Sequence, residues 1–184
     1  MTIHGVTRVV VTGSESTGKT SLARDLASYF GAVWVAEQAR AYAERVNRSL
    51  TSDDVSVIAS EQIAAEDAAL TEAIRLGNRW LFLDTDLIST VVYARHYYGA
   101  CPPWVEAEAR ARRGDLYLVA DIDVPWTPDG VRDRPESRQE LHEEFRKSLS
   151  EIGAPSRTVQ GTGDQRLTAA IKTVEAFARA SPAT

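Results

Sequence analysis

Eight consecutive residues, Gly13-Ser14-Glu15-Ser16-Thr17-Gly18-Lys19-Thr20, satisfy the spacing G-x-x-x-x-G-K-[ST]. Glycine adopts backbone angles that other residues avoid, so such a loop can turn successive N–H groups inward on one anion. Lys19 is spaced to reach the outer phosphates of a nucleotide, and the Thr20 hydroxyl to ligate Mg²⁺. Ser21 opens a helix whose N-terminal end adds positive potential to the same place. Residues 13–21 are therefore the candidate nucleotide-binding segment, with ATP and Mg²⁺ as the expected ligands.

Carboxylates and arginines elsewhere in the chain supply what a phosphate loop lacks. The apolar run Trp80-Leu81-Phe82-Leu83 ends in Asp84, the form of a Walker-B strand. A carboxylate at the end of such a strand can share Mg²⁺ with Thr20. Asp86 follows two residues later; it either projects toward a substrate hydroxyl or caps the next helix. Glu37 ends a second apolar run, Val33-Trp34-Val35-Ala36. It is a candidate to accept the proton of an attacking hydroxyl, or else a solvated residue favoured by a helix dipole. Arg40 and Tyr42 come one turn later, as substrate contacts or as ordinary helix residues. Arg132 and Arg134 stand in the polar stretch 125–135. Two arginines there suit a lid, about 125–138, over a transferring phosphoryl group; a solubilising loop with local Asp–Arg pairs is the other reading. Trp126 is a candidate to stack on a planar, cationic ring.

The elements that must position these groups alternate. Arg8-Val9-Val10-Val11-Thr12 reads as a buried strand, and Leu22, Leu26, Tyr29 and Phe30 recur at helical spacing before Gly31. Strand, loop and helix are in the order the motif needs. Further strands are expected at 33–36, 80–83, 116–119 and 156–160. Helices are expected at 37–48, from 51–54 to about 76, and at 88–98, 104–113, 136–152 and 167–180. Alternation of this kind predicts an α/β fold of the P-loop type, a five-stranded parallel sheet with helices on both faces. One domain is expected over 1–180, with 181–184 frayed.

Composition excludes several classes. The 184 residues carry a net charge of −5, against a strongly basic nucleic-acid binder. Cys101 is the sole cysteine, and His4, His96 and His142 show no metal-ligand spacing. No apolar run approaches a membrane span, and no leader is evident, so a cytoplasmic protein is expected. A homo-oligomer is left open. No guanine-reading N-K-x-D occurs, and a helicase or AAA⁺ ATPase usually needs more chain. A small-molecule kinase fits best.

The quoted residues also resemble a family. GSESTGKT at 13–20, with Glu15 and Ser16 inside it, is similar to the P-loop of the ribosylnicotinamide kinase domain of NadR-type proteins. EQARAY at 37–42 is similar to that family's E-x-x-R-x-[YF], FLDTD at 82–86 to its F-[IL]-D-T-D, and WTPDGVR at 126–132 to its W-x-x-D-G-x-R. The resemblance implies ATP-dependent phosphorylation of the ribose 5′-hydroxyl of nicotinamide riboside, giving nicotinamide mononucleotide. It implies that Trp126 lies by the nicotinamide ring and that Asp84, Asp86 and Glu37 surround Mg²⁺ and the ribose. The family's best-known form carries an adenylyltransferase domain ahead of the kinase. The chain starts a few residues before its first strand, so no adenylyltransferase or repressor role is expected. It also lacks the aromatic residue expected after Glu37, which leaves substrate preference open. Kinase activity on another nucleoside, a regulatory ATPase without an acceptor, and a structural nucleotide-binding module are the alternatives.

Overall fold

In a computed structural model that describes residues 5–124 and 137–180, the five strands form one parallel sheet in the order β2-β3-β1-β4-β5. The strands are β1 (Thr7–Thr12), β2 (Val33–Val35), β3 (Trp80–Asp84), β4 (Leu116–Ala120) and β5 (Ser156–Val159). The helices are α1 (Lys19–Phe30), α2 (Gln38–Val46), α3 (Asp54–Arg75), α4 (Leu87–Tyr98), α5 (Pro103–Ala111), α6 (Arg138–Glu151) and α7 (Gly163–Ala180). Among the described residues, no helix is long and apolar enough to cross a membrane.

Alternation along the strands divides the core in two. Val9, Val11, Phe82, Leu116 and Leu118 pack with Leu22, Leu26, Ala170 and Val174 of α1 and α7. Val10, Leu81, Leu83, Tyr117 and Val119 face the other way, onto Val91, Val92, Phe145 and Leu149 of α4 and α6. Successive strand side chains point to opposite faces, so a run buried on both faces reads as continuously apolar, as residues 9–11 of β1 and 80–83 of β3 do.

Several boundaries move from their expected places. β2 ends at Val35 rather than Ala36, and Glu37 becomes the N-cap residue of α2. α7 begins at Gly163, four residues before the expected start at Leu167. Its first turn carries no apolar repeat because the buried residue there, Arg166, is charged.

Polar groups are buried beside the second core. Asp86 caps α4: its Oδ1 accepts from the Ile88 and Ser89 N–H groups at 3.0 and 3.4 Å. Its Oδ2 accepts from the Tyr117 hydroxyl at 2.5 Å, and that hydroxyl accepts the Gly114 N–H at 2.9 Å. Glu66, on α3, accepts from Gln62 Nε2 at 2.8 Å. Burial, with a smaller contribution from the Asp86 charge, pushes the Glu66 carboxyl up to about 7. Folding therefore favours its protonated form, a contribution fully present below its ordinary value of 4.5 and lost as pH rises toward 7. Glu66→Gln removes that loss while keeping the Gln62 contact. The variant's melting temperature, measured relative to the native chain, should rise between pH 4.5 and 7.5; a pH-independent difference would contradict this burial cost.

Candidate active site

The register of the sheet brings the site together. Val11 pairs with Asp84 across β1 and β3, so the loop leaving β1 and the carboxylate ending β3 emerge side by side. Gly13 takes φ +130°, and a Cβ there would stand 2.9 Å from the Ala120 carbonyl oxygen at the end of β4. Any side chain would push the loop off the sheet edge. Gly18, left-handed at φ 76°, precedes α1 without a capping side chain. The first N–H groups of α1 are thus left to an anion rather than to a cap. The Lys19 ammonium and the Thr17 hydroxyl each donate to the Ser14 carbonyl at 2.8 Å. Ser14 and Thr17 are buried, whereas Thr20 and Ser21, on the helix that follows, are exposed. Glu15, also buried, accepts from the Tyr97 hydroxyl at 2.6 Å, which ties the loop to α4. Ser16 adopts φ 51°, a left-handed conformation inside the loop.

The Thr20 hydroxyl donates to Asp84 Oδ2 at 2.6 Å, while Asp84 Oδ1 is buried without a hydrogen-bond partner. Burial raises the Asp84 carboxyl, against the Thr20 bond, and the nearby Glu37 charge raises it further. A buried carboxylate oxygen without a donor, beside a threonine hydroxyl and a second carboxylate, is a donor set that suits a hard divalent cation. Asp84 and Thr20 therefore fit Mg²⁺.

Thr85 turns the chain sharply after Asp84. Its φ of 67° is unusual for a β-branched residue, and its N–H is held by the Val11 carbonyl at 2.9 Å. The turn sends Asp84 toward the loop and Asp86 into the interior. Of the two readings of Asp86, the helix cap is therefore the one found. Both its oxygens are bonded within the protein and it is 4% exposed, so it is a poor candidate for a substrate hydroxyl.

A cavity of about 700 Å³ opens beside these groups. Glu37, Glu44, Gln62, Thr85 and Ser89 line it, with Tyr93, Tyr97 and Tyr98 of α4. The Tyr93 and Tyr97 rings are stacked, 6.1 Å apart and 5° from parallel. Arg48 also reaches the cavity, but it is bound to Asp54 at 2.7 Å, and that pairing holds the Asp54 carboxyl well below its usual range. Of the two readings of Tyr42, the packing one is found: its hydroxyl donates to the same Asp54 at 2.8 Å, and the side chain is buried in that cluster. Arg40 pairs with Glu37 at 3.6 Å on the helix surface.

Two arginines at the loop were not named as site residues from the sequence. Arg166 of α7 donates to the Thr17 carbonyl and pairs with Asp123. Arg138, at the start of α6, donates to the Ser16 carbonyl at 3.3 Å. Burial, then the Arg166 charge, lowers the Arg138 pKa, and the Nε of each is buried without a partner. Arg138 continues the series Arg132 and Arg134, a signal the sequence did contain. Arg166 carried none. Trp126, Arg132 and Arg134 themselves lie outside the described residues. The structure also joins His96 to Glu140 and Glu144, with ligand atoms within 4.8 Å of one another, although the histidine spacing gave no such sign.

Residues 8–166 match the AAA_28 family, an AAA domain. The chain belongs to this P-loop family. The AAA label is one that the short chain had argued against. Among curated proteins, the trifunctional NAD biosynthesis/regulator protein NadR of Escherichia coli (strain K12) is 32% identical over 130 residues, 69% of this chain and 31% of that one. The chain thus spans about a third of that relative. Solved structures of NadR protein, one in complex with NR and one with NAD and AMP-PNP, superpose with TM-scores of 0.75 and 0.73. Both are 31% identical and cover 95% of this chain and 50% of theirs. A thymidylate kinase from Ehrlichia chaffeensis, 12% identical over 94% of this chain and 99% of its own, shares the fold with a TM-score of 0.70.

Gly13→Ala should abolish nucleotide binding, measured by titration calorimetry, while the sheet still folds. Asp84→Asn should weaken binding of ATP with Mg²⁺ far more than binding of metal-free ATP. Equal losses with and without the metal would remove Asp84 from the cation site.

Proposed function

We propose that the chain transfers the γ-phosphoryl group of ATP to the ribose 5′-hydroxyl of nicotinamide riboside, giving nicotinamide mononucleotide. The observation that carries this reading is the cavity. Stacked tyrosines and the carboxylates Glu37 and Glu44 line it, and Arg48, the one arginine among its described lining residues, is paired with Asp54. A flat ring of positive charge is stabilised by aromatic faces and by nearby carboxylates alike. The nicotinamide ring of the riboside is such a ring, and the neutral bases of common nucleosides are not. The NadR complexes with NR and with AMP-PNP support both the acceptor and the nucleotide.

Chemistry follows from what lines the boundary between cavity and loop. The loop N–H groups and Lys19 hold the phosphates of ATP. Mg²⁺, held by Asp84 and Thr20, would supply charge neutralisation at the phosphate oxygens. Glu37, buried and facing the cavity, accepts the proton of the 5′-hydroxyl as its oxygen attacks phosphorus and the bond to ADP breaks. Asp86 is not assigned this step, because the helix cap and Tyr117 already occupy it. Arg138, with Arg132 and Arg134 of the preceding segment, stabilises charge on the transferring group and excludes water.

Incubation with ATP, Mg²⁺ and nicotinamide riboside should yield a product with the mass of nicotinamide mononucleotide, lost in Lys19→Ala. ATP binding without product from this riboside would discard the acceptor, and product from another nucleoside would name a different kinase. Glu37→Gln should lower kcat by about 10²–10⁴-fold, the usual worth of a general base, with little change in the KM for ATP. An unchanged kcat would remove Glu37 from the proton transfer.

A further inference from the structure

Gln62 is 2% exposed, yet it lines the cavity from α3. One of its amide N–H groups donates to Glu66 Oε1, one helical turn further on, at 2.8 Å. An ionised carboxylate only accepts hydrogen bonds, so Glu66 fixes which way round the amide sits. The carbonyl oxygen and the second N–H of Gln62 remain, an acceptor and a donor on one planar group. A primary carboxamide presents the same two functions. A carboxylate presents acceptors alone, and it would enter a cavity already lined by Glu37 and Glu44, with Glu66 and Asp86 buried nearby. Among the described lining residues the one arginine, Arg48, is bound to Asp54.

We propose that Gln62, oriented by Glu66, reads the carboxamide of the acceptor ring and discriminates it from the corresponding carboxylate. This rests on the acceptor reading above. Gln62 is a specificity-determining residue and Glu66 is its positioning residue. Buried polar pairing is the kind of contact that discriminates strongly, because the wrong substituent leaves the protein's own polar groups unpaired.

The pairing also gives Glu66 a pH signature. Its carboxyl is pushed up to about 7, chiefly by burial. Asp86 of the α4 cap, Tyr117 of β4, Arg112 after α5 and Arg8 of β1 surround this polar layer. When Glu66 takes a proton it can donate, and the Gln62 amide is free to turn over. The orientation that reads a carboxamide is then lost as pH falls through about 7.

The test is steady-state kinetics with ATP and two acceptors, nicotinamide riboside and its analogue carrying a carboxylate in place of the carboxamide. The native chain should prefer the amide. Gln62→Met should raise the KM for the amide about tenfold or more and erase the preference, leaving the KM for ATP unchanged. The native KM for the amide should rise as pH falls from 8 to 6, and Glu66→Gln should flatten that profile. A folded Gln62→Met with an unaltered preference, or a native enzyme without one, overturns the inference alone. If Gln62→Met does not fold, identical pH profiles for the native chain and Glu66→Gln overturn it. A native chain that phosphorylates neither riboside overturns the acceptor reading, and this inference with it.

Discussion

Parallel pairing of β1 with β3 is the constraint on which the site rests. It sets Val11 against Asp84, so the P-loop and the Asp84 carboxylate leave the sheet at the same level. The Thr20–Asp84 hydrogen bond spans 64 residues of sequence at 2.6 Å, and only this register permits it. A slip of β3 by one residue would turn Asp84 and the core residues of β3 to the opposite face of the sheet. The two apolar cores, one on each face, hold the register. The geometry of the site is thus secured by packing remote from the loop.

Strain and buried charge concentrate where that register is used. Ser16 and Thr85 are left-handed without being glycine, and both border the crevice. Thr85 separates two aspartates of the same sequence motif into different environments. Asp84 keeps an oxygen without a partner, whereas Asp86 has none to spare. On the other side of the loop, Arg138 and Arg166 bring two positive charges against backbone carbonyls. Unpaired acceptor on one side and crowded cations on the other form a field suited to a metal-bound polyphosphate.

Much of this was legible in the chain. The five strands, their parallel sense and the loop follow from apolar alternation and from one spacing of glycines and lysine. Local pattern alone left Asp86 undecided, because a cap and a substrate ligand look identical until the helix and Tyr117 are placed. Tyr42 was left undecided for a related reason: its partner Asp54 lies across a helix–helix contact that spacing does not reveal. Tyr93, Tyr97, Gln62 and Arg166 were not singled out at all. Their roles arise from the tertiary placement of α3, α4 and α7 around the strand ends, and on their own helices they read as core or surface.

The proposed reaction requires that one cavity present a nucleoside hydroxyl to a phosphate held by the loop. A crystal structure with nicotinamide riboside, Mg²⁺ and a non-hydrolysable ATP analogue tests it most directly. The ring should lie against Tyr93 and Tyr97, with the 5′-oxygen about 3–3.5 Å from the γ-phosphorus and within hydrogen-bond reach of Glu37. A riboside bound outside this cavity, or one whose 5′-oxygen turns away from the loop, would contradict it.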